Sequence, residues 1–563
     1  ALWLGRASGA GLQEIRLPQE HAPLPLAPEA RSAAGALRLT VRLGGVRLVG
    51  PGGSLTTRAF NGSVPAPTIK VRPGDKLSIF LVNALDGPRG PDGINVVHHP
   101  NDTNIHLHGL HVSPLSPSDD VLGTVLRPHM SWQYEYRILP DHSPGTYWWH
   151  THHHGSAVLQ TGAGAAGAFL VLDPPGFLSP QLEAMEDRVM VLQDLPRTNL
   201  ENAAKKAGDE LFHVDEWNWG SDLYLVNGAV LPAVSMMPGE WQRLRLVLAG
   251  VGTWLYLDFG ACDVALLAKD GIYIDDFPRF ISRVHLPPGG RSDLVVRCPP
   301  GLKGSATEYI VTSQPRPSSV GAKTFIGPVF TVRVEGRTAT GLASADLRPW
   351  SPAARPAYLR DLTSESVPQC SCATAMGTGG NSKWINGHLY DSPSSYLHSS
   401  PQDAVIERQL IGVDKHSYHQ HTWPFQLVTT PAGDDPYFRA GDWHDTYQNV
   451  RDTRALVRFS TVDYRGPMVV HCHALGHSDS GMLAVELVGG HGADRCACDL
   501  LNMEAGSMAE PQGGALLAGA AVAFLGMLGL VLGAGVRLAC AWRRMDTPES
   551  AYATLADGPR LPA

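Results

Sequence analysis

Four pairs of histidines, each with one residue between its members, constrain the fold of this chain more than any other feature. The pairs are His106/His108, His150/His152, His419/His421 and His471/His473. Residues i and i+2 of a β-strand point to the same face, so each pair predicts an extended segment that presents two imidazoles in one direction. We therefore expect short strands that bring these imidazoles to one site.

Cys472 stands at the centre of the last pair, and its side chain should point away from the two histidines beside it. A metal bound by Cys472 would then be joined through the backbone to metals bound by those histidines. A thiolate, two imidazoles and a distant thioether are the donors of an electron-transfer copper. His477 and Met482 supply two of these donors, and His416, which is offset from the pair that follows it, fits as the other imidazole.

The histidines allow weaker interpretations if each motif is taken alone. A single pair is more often a surface or core feature, and two pairs would fit a generic metal site, zinc included. A tetrahedral zinc site, however, needs only four ligands and no cysteine flanked by histidines. His153 and His154 extend the second cluster, and we expect them to hydrogen-bond behind the ligands, with an accessory ligand as the alternative. We expect His98 to be a solvated or packing residue.

Alternation of apolar and polar residues predicts β-strands along most of the chain. The segments 37–49 and 76–82 alternate in this way, and a strand at 241–248 follows a Pro-Gly turn similar to the one at 72–75. The 60 glycines and 44 prolines favour many short strands joined by tight turns. These features predict an all-β chain of antiparallel β-sandwiches.

The four histidine motifs, in this order, resemble those of the multicopper oxidase family, which includes laccases, ascorbate oxidase and ferroxidases. The segments 60–83, 225–247 and 383–391 resemble framework segments of that family. The resemblance implies three cupredoxin-like Greek-key β-sandwich domains, with a trinuclear copper cluster between the first and the third. We place these domains at residues 30–178, 185–337 and 350–490.

The resemblance also implies the ligands of four copper ions. The type 1 ion would be held by His416, Cys472, His477 and axial Met482. The type 2 ion would be held by His106 and His419. The type 3 pair would be held by His108, His150, His152, His421, His471 and His473. The third motif departs from the family at Ser417 and Thr422, where Pro and Gly are usual, and we expect a changed loop geometry without loss of copper.

The implied reaction couples four one-electron oxidations at the type 1 copper to the four-electron reduction of O2 to water at the trinuclear cluster. This reduction consumes protons, and a carboxylate near the cluster would deliver them. Asp119 lies eleven residues after His108, a spacing similar to that of family acids that help proton delivery. The neighbouring Asp120 leaves the assignment open, and a loop-capping role is the alternative.

Two substrate classes remain open at this point. One class is laccase-like oxidation of phenols or other small reductants. Met482 as axial ligand implies a modest type 1 potential, which favours easily oxidised substrates over recalcitrant phenols. The alternative is a ferroxidase or other metal-ion oxidase, for which Asp414, Asp215 and Glu216 are candidate iron-binding acids. The ordinary interpretation of these three residues, as solvated loop acids, is favoured over iron binding. A copper-binding or adhesion module without turnover is a third class, and the complete ligand set argues against it.

An uncharged stretch near the end of the chain predicts a membrane anchor. Residues 513–536 could span a bilayer as one helix. Arginines 537, 543 and 544 follow this stretch and predict that the C-terminal tail, 537–563, is cytoplasmic. The small, polar segment 491–512 reads as a stalk. We therefore expect a single-pass membrane protein with its large part extracellular or luminal, and a permease partner is left open.

The net charge limits the classes of partner, and the cysteine content indicates the cellular compartment. The net charge is −8 and no basic tract occurs in the first 500 residues, so a nucleic-acid partner is excluded. Apart from Cys472 and the membrane-proximal Cys540, six cysteines remain, which allows three disulfides in an oxidising compartment with their connectivity open. Glycosylation sequons occur at Asn61 and Asn101, and crowding could keep either unmodified.

Overall fold

The alternating segments form strands. In the computed structural model the strands Ala36–Gly50, Lys76–Asn83 and Gln242–Leu248 coincide with the predicted segments to within one or two residues. Every second side chain of Lys76–Asn83 is buried, which is the alternation expected of a strand with one face on a core. The structure describes residues 12–501, apart from 221, 302–304, 317–322, 366–367, 380–381, 432–435, 450, 452–453 and 491–494.

The described strands form six sheets. Sheet 1 contains, in spatial order, His213–Trp217, Gly53–Phe60, Ala36–Gly50, Lys76–Asn83 and Ser131–Arg137, with Gln13–Arg16 beside Ala36–Gly50. Sheet 2 contains Glu29–Arg31, Thr68–Val71, Ala166–Val171, Gly145–His150 and His106–His108. Sheet 3 contains Asp222–Val226, Glu186–Pro196, Gln242–Leu248, Arg291–Arg297, Asp263–Lys269 and Ile272–Tyr273, with Arg279–Phe280 beside Asp263–Lys269.

The other three sheets follow along the chain. Sheet 4 contains Ala233–Met236, Gly327–Val334, Thr307–Ser313, Thr253–Asp258 and Val284–Leu286, with Lys323–Thr324 beside Thr253–Asp258. Sheet 5 contains Ser382–Ile385, Cys370–Gly379, Val405–Ile411, Arg454–Ser460, Phe425–Leu427 and Trp443–His444. Sheet 6 contains Tyr396–Ser400, Leu483–Val488, Gly466–Cys472, Tyr418–Gln420 and Thr446–Tyr447.

Buried apolar clusters lie between the sheets. Leu77 and Ile79 of sheet 1 share one buried cluster with Phe169 of sheet 2. A second and larger cluster contains side chains of sheets 3 to 6, with Leu246 of sheet 3 and Leu255 of sheet 4 among them. Burial of large aliphatic and aromatic side chains between sheets stabilises such layers by about 1.5–3 kcal/mol for each side chain. The described chain is therefore mostly β, as predicted, while the three cupredoxin-like domains and their limits remain a prediction.

The described helices are short. They are Ala157–Thr161, Pro180–Glu183, Arg197–Ala207 and Leu475–Ser478, with 3-10 turns at Leu342–Ser344 and Ala357–Leu359. None of them is both long and apolar enough to cross a membrane. The predicted membrane helix 513–536 and tail 537–563 lie outside the described residues, as do most residues of the predicted stalk.

The six cysteines outside Cys472 and Cys540 form three disulfides, as the even number predicted. The bonds are Cys262–Cys298, Cys370–Cys496 and Cys372–Cys498. The last two are parallel and fasten the segment around residue 497, which also pairs with Ser399, to the strand Cys370–Gly379. Part of the predicted stalk is thus held against sheets 5 and 6.

Candidate metal centre

Strand pairing positions the four histidine pairs. In sheet 2 the strand His106–His108 pairs with Gly145–His150, so that His106 lies opposite His150. In sheet 6 the strand Tyr418–Gln420 pairs with Gly466–Cys472, so that His419 lies opposite His471. The eight paired histidines are all buried, and their rings meet in one cage. We call these eight residues the histidine cage.

The cage contains the eight imidazoles that were predicted to hold the trinuclear cluster, and in the structure they fall into three groups. The rings of His106 and His419 have centroids 5.8 Å apart. The rings of His108, His150 and His473 have centroids 4.9–5.7 Å apart. In the third group the Nε2 atom of His471 lies 3.2 Å from that of His152 and 3.3 Å from that of His421. Three nitrogens that converge so closely suit one shared metal ion.

Hydrogen bonds on the outer side of the cage fix which nitrogen faces inward in four of the rings, those of His106, His108, His150 and His419. Nδ1 of His150 bonds to the carbonyl of Thr151 at 2.8 Å, and Nδ1 of His419 bonds to the carbonyl of Asp445 at 2.9 Å. The inward nitrogens of His106, His108, His150 and His419 are buried and have no hydrogen-bond partner among the described residues. Burial lowers the pKa of His106 and of His108 well below the usual value, so these rings are neutral. Neutral imidazoles with free buried nitrogens are the form that binds a metal.

A second site lies on the other side of Cys472. Its Sγ atom is 3.8 Å from Nδ1 of His416 and 3.7 Å from Nδ1 of His477, and these two nitrogens are 3.3 Å apart. Met482 is fully buried. Its carbonyl accepts a hydrogen bond from the N–H of Cys472, and its N–H donates to the carbonyl of His477, so Met482 lies next to both residues. Burial raises the pKa of the Cys472 thiol to about 12, so the thiolate requires a cation beside it. These four donors fit a type 1 copper.

Asp119 faces the outer side of the cage. One carboxylate oxygen bonds to Nδ1 of His106 at 2.7 Å, and the other accepts a hydrogen bond from the backbone N–H of Leu107 at 3.0 Å. Burial raises the pKa of Asp119 to about 8. Asp120 instead accepts from the N–H of Gly123 and caps a turn. The structure therefore gives Asp119 a positioning contact with His106, and its role in proton delivery stays a prediction.

Sequence reasoning missed two groups that support the cage. Asp445 bonds to Nε2 of His108 at 3.1 Å, and Arg291 of sheet 3 forms a buried ion pair with Asp445. Gly109 makes room for this pair, because a Cβ atom at this position would overlap both side chains. Neither residue belongs to a histidine motif, and no spacing in the sequence connects residue 291 with the cage.

In the part of the chain that the structure describes, the three candidate iron-binding acids share no hydrogen bond or ion pair with Cys472. Asp414 is buried, and its charge acts on the nearby Arg316. Asp215 and Glu216 lie on the strand His213–Trp217 of sheet 1, where Asp215 pairs with Arg47. The sequon side chains are both engaged in hydrogen bonds, and Asn101 is buried. Burial of Asn101 argues against a glycan on it in the folded chain.

The six sheets position a thiolate–imidazole–thioether site and an adjacent cage of eight imidazoles, which are the donor sets of a copper-dependent oxidase. Family models described as multicopper oxidase match residues 92–176 and 365–490. These two segments contain the four histidine motifs, so the chain carries multicopper oxidase domains at residues 92–176 and 365–490. It is accordingly a copper-dependent oxidoreductase that acts on a reductant and O2.

Individual relatives are distant. A multicopper oxidase of Staphylococcus haemolyticus is 22% identical over 433 residues, which cover 76% of this chain and 83% of that protein. The iron transport multicopper oxidase FET5 of Saccharomyces cerevisiae is 24% identical over 249 residues, 42% of this chain and 35% of that protein. The fold is similar to a multicopper oxidase of Campylobacter jejuni described as a metallo-oxidase, with a TM-score of 0.63, 20% identity, and coverage of 84% of this chain and 96% of that one.

Proposed function

We propose that the chain is a laccase-like oxidase of small organic reductants, with neutral or anionic phenols as its preferred class. Bound copper would supply one-electron redox chemistry at the Cys472 site and O2 reduction at the histidine cage. The chain supplies a bonded route between the two sites, because Cys472 is covalently linked to His471 and His473. The buried cage also keeps bulk water away from its imidazoles.

The positive charge around the Cys472 site is the observation that favours phenols over Fe²⁺ as the substrate class. Burial, His477 and the positive charges of Lys383 and Lys415 lower the pKa of His416 to about 3. Burial and Lys383 lower the pKa of His477 to about 4. Lys383 also approaches the site with its backbone, since a Cβ on Gly481 would lie 3.0 Å from the Lys383 carbonyl oxygen. A positive rim attracts phenolates and repels Fe²⁺.

Oxidation of Fe²⁺ is the alternative, because one relative is named an iron transport multicopper oxidase. An iron oxidase needs exposed carboxylates beside the type 1 ligands to hold the ferrous and ferric ions. Asp414 is buried near Arg316, and Asp215 is paired with Arg47 in another sheet. These contacts disfavour all three predicted iron ligands, since Glu216 lies on the same strand as Asp215.

The test compares kcat/KM for Fe²⁺, a neutral diphenol and a diphenol that carries a carboxylate. We expect the anionic diphenol to be the best substrate at low salt and to lose its advantage as ionic strength rises. The double variant Lys383→Gln/Lys415→Gln should lower kcat/KM for the anionic donor several-fold and leave the neutral donor unchanged. Lys206→Gln, on the exposed face of Arg197–Ala207, is the matched control. A higher kcat/KM for Fe²⁺ than for both diphenols would favour the alternative.

Copper content and absorption test the oxidase assignment itself. We expect four copper atoms per folded chain, an intense blue thiolate–copper band and a near-ultraviolet shoulder from the coupled pair. A colourless protein that is nevertheless full of copper would contradict the proposal.

We also propose that residues 513–536 anchor the chain in a membrane, with the large part on the extracellular or luminal side. The stretch is uncharged and arginines follow it, which supports this orientation. The three disulfides fit an oxidising compartment. The full chain should stay with membranes during alkaline extraction, whereas a chain ending at residue 510 should be released. Release of both would contradict the anchor.

A further inference from the structure

A pocket beside the histidine cage is lined by three histidines that the four-copper ligand set does not use. The pocket has a volume of about 250 Å³, and its histidines are His98, His153 and His154. We call these three residues the pocket histidines. Apolar side chains form much of the remaining wall, namely Ile94, Val121, Leu122 and Val125. His153 follows the cage residue His152 directly in the chain, so the pocket lies next to the cage.

The His98 ring lies close to each of the other two rings. The centroid of the His98 ring lies 6.3 Å from that of His153 and 6.1 Å from that of His154. Ring separations within the cage reach 5.8 Å, so the pocket histidines are only slightly farther apart. With metal–nitrogen bonds of about 2.0–2.1 Å, small rotations of the side chains would bring all three rings onto one ion.

The pocket histidines have nitrogens available for a ligand. Nδ1 of His98 donates to the carbonyl of Val96 at 2.7 Å, which leaves the lone pair of Nε2 free. A backbone carbonyl in this position is a common partner of a metal-binding histidine. Both ring nitrogens of His154 are buried and have no hydrogen-bond partner among the described residues. A buried polar group without a hydrogen-bond partner destabilises the fold, and a bound ion would remove that penalty.

The loop that carries the pocket histidines is held rigidly. The backbone N–H of His98 donates to the carbonyl of Gly155 at 2.9 Å, and the N–H of Gly155 donates to Asp479 at 2.8 Å. Gly155 has φ +96°, and a Cβ atom there would overlap the His98 ring. The imidazoles are therefore arranged before any ligand arrives.

The charge of the pocket favours a cation. Asp391 contributes a carboxylate to its wall, and no lysine or arginine lines it among the residues that the structure describes. Imidazole ligands suit late transition metals such as copper and zinc better than calcium or magnesium. We propose that the pocket histidines bind one further copper ion, separate from the four ions of the Cys472 site and the cage.

The test uses the full chain loaded with its four coppers and then titrated with Cu²⁺. We expect a fifth ion per chain that a mild chelator removes while the other four stay bound. The electron paramagnetic resonance spectrum of that ion should show nitrogen couplings from two or three imidazoles. The spectrum is recorded on the unmutated chain, so it does not depend on the folding of any variant.

Single variants locate the fifth ion. His98→Gln and His154→Gln should each weaken its binding at least ten-fold and keep the blue band, which reports a folded chain. His129→Gln, which replaces an exposed histidine paired with Asp86, is the matched control and should bind as the unmutated chain does. Binding of only four ions, a fifth ion without imidazole nitrogen couplings, or equal binding by all variants would overturn the proposal. The last result would identify an adventitious ion only.

Discussion

Arg291 and Asp445 form a buried two-pronged ion pair that connects sheet 3 with the histidine cage. Both side chains are at most 2% exposed, and Nη1 of Arg291 lies 2.7 Å from one carboxylate oxygen while Nη2 contacts the other. The same carboxylate bonds to Nε2 of His108, and the Asp445 carbonyl accepts from His419. The predicted second domain thus supplies a cation that orients ligands carried by the other two.

Loss of the Arg291 guanidinium should disturb both stability and the cage. Arg291→Met leaves the Asp445 carboxylate buried without its partner, which should destabilise the fold by about 3–5 kcal/mol. We expect less copper in the cage while the blue band persists. Arg16→Met is the control, because the Arg16 side chain is 84% exposed and its pair with Glu14 contributes about 0–1 kcal/mol. Equal losses in the two variants, measured by denaturant unfolding, would contradict this role.

Replacement of Asp119 tests its contact with His106. In Asp119→Asn one oxygen becomes an N–H donor, so the bonds to His106 and to the N–H of Leu107 cannot both remain. We expect an unchanged blue band, an altered type 2 paramagnetic signal and O2 reduction slowed about 10–100-fold. Asp120→Asn, at the turn-capping neighbour, should change none of these. Unchanged turnover of Asp119→Asn at acidic and neutral pH would count against the assignment.

Asp194 should make stability depend on pH. Burial raises its pKa to about 6, although the N–H of Val251 donates to it. Between pH 4 and 6 the folded chain holds a proton here that the unfolded chain has lost, so this contribution to stability falls as pH rises. The free energy of unfolding of the unmutated chain relative to Asp194→Asn should fall by about 3 kcal/mol across this window. A difference that stays constant or rises from pH 4 to 7 would contradict the assigned shift.

Local periodicity made part of this molecule predictable. The alternation of 76–82 and the spacing of His106 and His108 depend on strand geometry alone, and both correspond to observed strands. Each of the other three histidine pairs has one member in a strand and the other just beyond its end. The facing of Cys472 away from its neighbours follows from the same geometry. Arg291, Asp445 and the pocket histidines were not predictable in this way, because tertiary packing brings them together from distant segments. His213–Trp217 likewise pairs with sheet 1 across a long sequence separation, which no local pattern indicates.

The parallel disulfides Cys370–Cys496 and Cys372–Cys498 should not contribute equally. Each spans 126 residues, but once one has formed the other closes a loop of only a few residues. Chain entropy then assigns about 2 kcal/mol to the second bond and about 5 kcal/mol to the first. We expect Cys498→Ser with Cys372→Ser to lower the free energy of unfolding by about 2 kcal/mol, and removal of all four cysteines to lower it by about 7 kcal/mol. If removal of all four cysteines lowers the free energy of unfolding by only twice as much as removal of Cys372 and Cys498, the two disulfides act independently.

Thr422 has a backbone conformation that suits glycine, the residue usual at this position in the family. Its φ is +64°, which is strained for a β-branched residue, and its hydroxyl is buried without a hydrogen-bond partner among the described residues. The Thr422 carbonyl accepts from Nδ1 of His111 at 2.8 Å, a bond that does not need the side chain.

Thr422→Gly should therefore relieve strain and remove the unpaired hydroxyl, while the greater freedom of glycine in the unfolded chain offsets part of the gain. We expect a net stabilisation of about 1 kcal/mol, seen as a higher Tm of the copper-loaded protein with its blue band unchanged. Thr422→Ala removes the hydroxyl but keeps a Cβ atom at positive φ, so it should gain less than Thr422→Gly. A Tm for Thr422→Gly below that of the unmutated chain would mean that the threonine methyl group packs well enough to outweigh the strain.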